Sequence, residues 1–201
     1  LENLYSLAFL PNGDALIVER GQRLRLLRQA TGPNPVLEAQ PIANVPNYSK
    51  AEHLKPIDVL GIQDVRPDPD FATNKLIYFT FNRPVGYDAK ADRITATTVL
   101  ARARLDGLRL VDVKDLLVGE VMVGTGGSRI LIDPKRQLFV AVGALSEGDI
   151  QSAQRTDNIY GKVMRIGIDG SIPADNPFRN TKGARPEIWT YGHRDPLGLA
   201  I

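Results

Sequence analysis

The stretch 123–149, VGTGGSRILIDPKRQLFVAVGALSEGD, has two ends where chemistry could sit. It opens on Gly124-Thr125-Gly126-Gly127-Ser128-Arg129 and closes on Gly143-Ala144-Leu145-Ser146-Glu147-Gly148-Asp149. Clustered glycines let a backbone turn its N–H groups onto an anion, or simply turn between strands. The G-x-x-x-x-G-K-[ST] context of a phosphate cradle is absent. Glu147, Asp149 and Asp157 offer the hard oxygens that calcium takes, or are charged loop tips; no twelve-residue calcium loop is visible. Neither end carries an obvious general base, because a threonine hydroxyl is not basic near neutral pH. A second group is His193-Arg194-Asp195. The Arg194 fork suits a carboxylate of a ligand, or pairs with Asp195, Glu187 or a neighbouring unit. His193 reads as structural, and His53, among Pro46, Asn47 and Pro56, as solvated.

Composition narrows the field. The 201 residues suffice for a sizeable core, with 43% hydrophobic and 24% charged residues. The formal net charge is +2 and the pI about 8.9. Basic residues are not clustered: in 20–28, RGQRLRLLR, they alternate with apolar ones, as on the wet face of a strand. No nucleic-acid partner is expected, since that footprint is a basic patch. There is no cysteine, so disulfides, thiolate metal sites and a cysteine nucleophile are excluded. No stretch approaches the ~18 apolar residues of a membrane helix, so no membrane partner is expected. The chain opens in strand-like sequence and reads as a processed or excised chain.

The elements that must position these groups repeat. An apolar run, a Pro/Asp/Asn/Gly turn and a second apolar run occur at 6–20, at 61–81 with a longer turn, and at 128–143. Pro11, Pro69 and Pro134 align in the turns, and GLAI at 198–201 opens a fourth copy. The period is roughly 60–70 residues with about four strand signals each. In the second copy the signals fall at 64–65, 75–81, 97–105 and near 116–118. A short helical piece is expected within 149–160, and Asp169-Gly170 as a tight hairpin turn between 163–168 and 171–173. Asp68-Pro69-Asp70 reads as turn chemistry, and Trp189 as packing. The fold class is all-β: a β-propeller of large four-stranded blades, about three blades and the start of a fourth. The expected blades are 1–57, 58–122 and 123–192, with 193–201 starting the next. Such a piece leaves open sheet edges, which a missing C-terminal half or a second chain would complete.

Several segments resemble the soluble quinoprotein glucose/sorbosone dehydrogenases, also called aldose sugar dehydrogenases. YGKVMRIGIDGSIPADNPF at 160–178 is similar to that family's L-G-K-V-L-R-h-x-x-D-G-S-h-P-x-D-N-P-F. EIWTYGHRDPLGLA at 187–200 is similar to its x-I-x-x-h-G-H-R-N-P-Q-G-L-A. GIQDVRPDPDFATNKLIYFTF at 61–81 resembles its G-L-L-D-V-A-x-D-P-D-F-x-x-N-x-x-h-Y, and 6–27 its opening blade. The resemblance spans nearly the whole chain and about the first half of a typical member, a six-bladed propeller.

The resemblance implies oxidation of aldoses at the anomeric carbon. Pyrroloquinoline quinone (PQQ) would be the cofactor and calcium its Lewis acid. It further implies a small-molecule sugar or glycan as ligand, and a periplasmic or extracellular setting. In the family a His of H-F-G-[SG]-R is the general base and an Asp downstream supports it. Here the base position is Thr125 and the supporting-acid position Ala144. A cofactor-contacting Gln or Glu is replaced near Val59 or Leu60. The Arg-Asn of G-H-R-N-P-Q-G contacts the cofactor in the family, which makes Arg194 and Asp195 the cofactor-binding positions here; Arg194 is kept, Asn becomes Asp195 and Gln becomes Leu197. If the protein is active, Asp195 or an acid from the other half must take the proton. The family's calcium stretch lies beyond Ile201, so no metal ligand is assigned. The alternative is a degenerate homologue that binds a carbohydrate or a protein without redox chemistry.

Overall fold

The structure is a computed structural model that describes residues 1, 3–19, 23–56, 58–144 and 150–201. Three antiparallel sheets follow one another along the chain. The first holds β1 (Leu4–Phe9), β2 (Ala15–Glu19), β3 (Arg23–Arg28) and β4 (Val36–Leu37), in that order. The second runs β5 (Gly61–Pro67), β6 (Leu76–Asp88), β7 (Arg93–Asp106) and β8 (Arg109–Val118), with β9 (Met122–Val123) beside β7. The third runs β10 (Ser128–Ile132), β11 (Gln137–Val142), β12 (Lys162–Gly167) and β13 (Ile188–Tyr191). A single helical turn, α1 (Phe71–Asn74), fills the longer turn between β5 and β6. The three aligned prolines occupy the matching first turns of the three sheets.

The sheets stack face to face because their middle strands are apolar on both sides. Successive side chains of a strand point to opposite faces. On β6, Ile77, Phe79 and Phe81 join Leu16, Val18, Leu24 and Leu26 of the first sheet. Tyr78, between them, joins Leu138, Val140, Val142 and Met164 of the third. On β7, Val99, Ala101 and Ala103 face the first sheet and Leu100 the third. Arginines alternate with buried Leu24 and Leu26 on β3, as the sequence predicts.

A carboxylate ties the inner edges together. Asp64 on β5 is fully buried. It accepts hydrogen bonds from the Ser6 hydroxyl on β1 and, at 2.8 Å, from the Ile130 N–H on β10. Val65 N–H and the Arg66 guanidinium add 3.0 and 2.9 Å contacts. The innermost strands of all three sheets therefore meet on one side chain. Asp68 performs the predicted turn role: Asp70 N–H, Asn74 and the Tyr78 hydroxyl donate to it at 2.7–2.9 Å.

Four expectations differ in the structure. The helical piece is a 3-10 turn at Ile150–Gln154, consistent with its thin apolar content. Asp169-Gly170 makes a turn, with Gly170 N–H donating to Gly167 at 2.9 Å, but 171–173 forms no strand. Its pairing side is taken instead by β13, after a loop held by Asn176 and Arg165. The β6–β7 hairpin runs well past the apolar signal. Its polar tip is held by the 44–58 loop, through a His53–Tyr87 ring stack at 4.0 Å and an Asp58–Arg93 pair at 2.8 Å. His53 is thus stacked rather than merely solvated.

Replacing Asp64 by Ala leaves Ile130 N–H and Ser6 without their buried acceptor. Chemical denaturation should show a loss of about 3 kcal/mol, and an unchanged midpoint would refute the tie. Lys162 on β12 is also fully buried and donates to the carbonyls of Ser152 and Tyr160 at 2.8 and 2.6 Å. Burial pushes its ammonium down to about 8; Asp157 resists, Arg155 adds to the drop and Glu120 resists. Between that value and the unfolded ~10.4 the unfolded chain binds the extra proton, so stability rises with pH there. Comparing unfolding free energies of wild type and Lys162→Met from pH 7 to 10 should show this rise in the wild type alone.

Candidate functional site

Antiparallel pairing brings the relevant residues to one end of the stack. The starts of β1, β5, β10 and β12 lie there, with the ends of β11 and β13. The approach loops 58–60 and 124–127 and the exit residues 143–144 and 192–195 therefore converge.

Most polar groups in this region are engaged internally. The Thr125 Oγ1 accepts the Val59 N–H at 2.8 Å. Asn82 donates to the carbonyls of Val59 and Gly126 at 2.7 and 2.9 Å and accepts from the Thr98 hydroxyl at 2.8 Å. Gln63, fully buried, donates to the Val59 carbonyl at 3.2 Å and accepts from Ser128 Oγ at 3.1 Å. Gly124 N–H donates to the Ile94 carbonyl at 2.8 Å, so the first amide an anion nest would use is taken. The glycine-rich approach is thus a pinned turn. Gln63 and Asn82 were missed by sequence reasoning. Both sit in strand positions that read as core, and their partners, Val59, Gly126 and Ser128 among them, arrive from outside their own strands.

Ala144 presents a buried methyl group and its N–H donates to the Arg194 carbonyl at 2.6 Å. That bond draws 192–195 onto the exit of β11. The Arg194 and Asp195 residues are exposed, and among the described residues neither side chain has a hydrogen-bond partner. Glu187, one partner considered for Arg194, is taken by Arg185 at 3.1 Å. His193 is structural: its N–H donates to the Gly161 carbonyl at 2.9 Å and its Nε2 lies 2.8 Å from Thr190 Oγ1.

The structure brings Thr125, Ala144, Arg194 and Asp195 to this end, and adds Tyr5. A Cβ placed on Gly127 would lie 3.4 Å from the Tyr5 hydroxyl and 3.6 Å from Asp195 Oδ1. One placed on Gly143 would lie 2.7 Å from the same Oδ1. Arg129 stacks on the Tyr5 ring at 4.5 Å and donates to the Leu197 carbonyl at 3.2 Å. Tyr5 carried no signal in the sequence beyond its place at the head of an apolar strand.

Glu147 and Asp149 lie outside the described residues. Asp157 is exposed and pairs with Arg155 at 3.3 Å. Among the described residues no group of three or more His, Cys, Asp or Glu could hold a metal ion. No helix among them is long and apolar enough to cross a membrane.

Comparison with known proteins gives this arrangement a family. The family model for glucose/sorbosone dehydrogenase matches residues 1–201. The aldose sugar dehydrogenase YliI of Escherichia coli is 35% identical, over 100% of this chain and 51% of its own length. Quinoprotein glucose dehydrogenase B of Acinetobacter calcoaceticus is 31% identical, over 66% of this chain and 31% of its own. The crystal structure of the soluble aldose sugar dehydrogenase of Escherichia coli, in its apo-form, superposes with a TM-score of 0.81 at 32% identity. That superposition covers 100% of this chain and 54% of the solved one. This chain therefore spans about half the length of YliI. With its stacked sheets and aligned turns, the chain belongs to the glucose/sorbosone dehydrogenase family.

Proposed function

We propose that this chain forms the ligand-facing part of a PQQ-dependent dehydrogenase that oxidises aldoses at the anomeric carbon. The observation that carries this reading is the exposed Arg194-Asp195 pair, unengaged among the described residues, beside the position of the family's base. The Arg194 guanidinium fits a carboxylate of the quinone, where a planar fork makes two parallel hydrogen bonds. When bound, the quinone supplies a two-electron acceptor for the hydride leaving the sugar carbon. The hydroxyl proton then needs an acceptor within hydrogen-bond reach. Thr125 cannot serve, since a hydroxyl is not basic near neutral pH, and its oxygen already accepts the Val59 N–H. Asp195 takes that role, with its carboxylate over Gly127 and Gly143. Calcium has no ligand set among the described residues, so none of the chain's chemistry is routed through it.

The blades divide at 1–57, 58–122 and 123–192, with 193–201 opening the next. Further blades, or a second chain, complete the ring in a periplasmic or extracellular setting. A second reading rests on a specific observation: Thr125 is engaged and Ala144 offers only a methyl group. On that reading the propeller binds a sugar or a protein without redox chemistry.

The test uses the full-length protein with quinone and calcium. Quinone uptake should appear as cofactor absorbance, and aldoses should reduce a dye acceptor. Arg194→Ala should weaken quinone uptake about tenfold or more, the loss of a charge-assisted fork. Installing Thr125→His with Ala144→Asp should raise turnover by about 10²–10⁴, the range a positioned base contributes. Absence of both uptake and turnover across aldoses would abandon the dehydrogenase reading in favour of the second.

A further inference from the structure

We propose that Tyr5 and Asp195 form a hydroxyl clamp that holds one sugar ring above Gly127. The clamp rests on the reading above that the ligand is a sugar, and it adds a residue from the first sheet to the site.

The first support is an inventory of polar atoms. At this end of the stack Thr125, Ser128, Gln63, Asn82, Asp58 and Asp64 all have internal partners. Among the described residues the Tyr5 hydroxyl and the Asp195 carboxylate have none. They come from distant parts of the chain, yet both approach a single point, the place where a Cβ of Gly127 would be. One is a donor and the other an acceptor. A pair of neighbouring sugar hydroxyls can satisfy both, because each hydroxyl accepts and donates.

The second support is the space itself. Gly127 does not lie in the left-handed backbone region, so its conformation does not demand glycine. A methyl group there would meet its neighbours at ordinary contact distance. The missing side chain leaves open the gap between hydroxyl and carboxylate. Gly143 likewise lies outside the left-handed region, and a Cβ there would come within 2.7 Å of Asp195 Oδ1. Its absence lets the carboxylate lie down towards Gly127.

The third support is rigidity. A site that discriminates needs side chains held before the ligand arrives. Arg129 stacks on the Tyr5 ring at 4.5 Å and also bonds the carbonyls of Tyr5 at 3.4 Å, Ser128 at 3.0 Å and Leu197 at 3.2 Å. It locks the ring in place. The Ala144–Arg194 backbone bond does the same for the segment carrying Asp195. The chemistry also selects the ligand. A carboxylate accepts and a phenol donates, and neighbouring hydroxyls of a polyol meet both needs at once.

The test reads sugar binding by calorimetry on the full-length protein without quinone, using D-glucose as probe. Wild type should bind. Tyr5→Phe should weaken binding about three- to tenfold, the worth of one neutral hydrogen bond. Asp195→Ala should weaken it about tenfold or more. Gly127→Ala fills the gap while keeping both groups. It should abolish binding with circular dichroism and thermal midpoint unchanged. In turnover assays Tyr5→Phe should raise KM more than it lowers kcat. Wild-type glucose affinity retained in Gly127→Ala, or in both Tyr5→Phe and Asp195→Ala, overturns the clamp, as does a wild type that binds no glucose. Clamp-dependent glucose binding without quinone uptake supports the clamp and removes the dehydrogenase reading. Turnover with unchanged KM in Tyr5→Phe and Gly127→Ala does the reverse.

Discussion

Asp64 is the point on which the arrangement of the three sheets depends. A carboxylate removed from water is tolerable only if donors surround it. Its donors here are Ser6 on the first sheet, Val65 and Arg66 on its own strand and Ile130 on the third. Each sheet could form its internal ladder without this residue. Their relative placement could not be as well fixed, because apolar faces alone slide. The hydrogen bonds are directional, and they sit on the innermost strands. They therefore set the spacing of the strand ends from which Tyr5, Gly127 and the 58–60 loop emerge.

The site follows from a division between engaged and unengaged polar groups. Gln63, Asn82 and Thr125 turn inward and hold the approach loops by bonding the backbone of Val59 and Gly126. Such networks stiffen a framework because every member is satisfied. Tyr5, Arg194 and Asp195 remain outside that network. The Thr125 oxygen belongs to this framework through the Val59 N–H.

Much of the fold was legible in the sequence. The both-faces-apolar run of β6 and the alternation on β3 are direct consequences of the two-residue strand period, and both appear in the structure. The turn prolines marked the repeat because proline presets φ where the chain turns. The long β6–β7 hairpin was not legible past residue 81. Its outer part, with Pro84 and Gly86, is a poor strand alone and is held by contacts with the 44–58 loop. The Asp169-Gly170 turn was legible but its pairing was not, since β13 arrives from about twenty residues on. At the site, Arg194 stood out by residue type and Asp195 by its place in the segment that resembles G-H-R-N-P-Q-G. Tyr5 did not, because a tyrosine at the head of an apolar strand looks like packing until a glycine 122 positions away is placed beside it.

The alternation along β6 has a further consequence. Ile77, Phe79 and Phe81 belong to one interface and Tyr78 to the other. A slip of one residue in the pairing of β6 would send each set to the wrong neighbour. An error there could not remain local: it would empty one core and overfill the other at once. The second sheet thus works as a proofreading element for assembly, admitting both neighbours only when its own register is right.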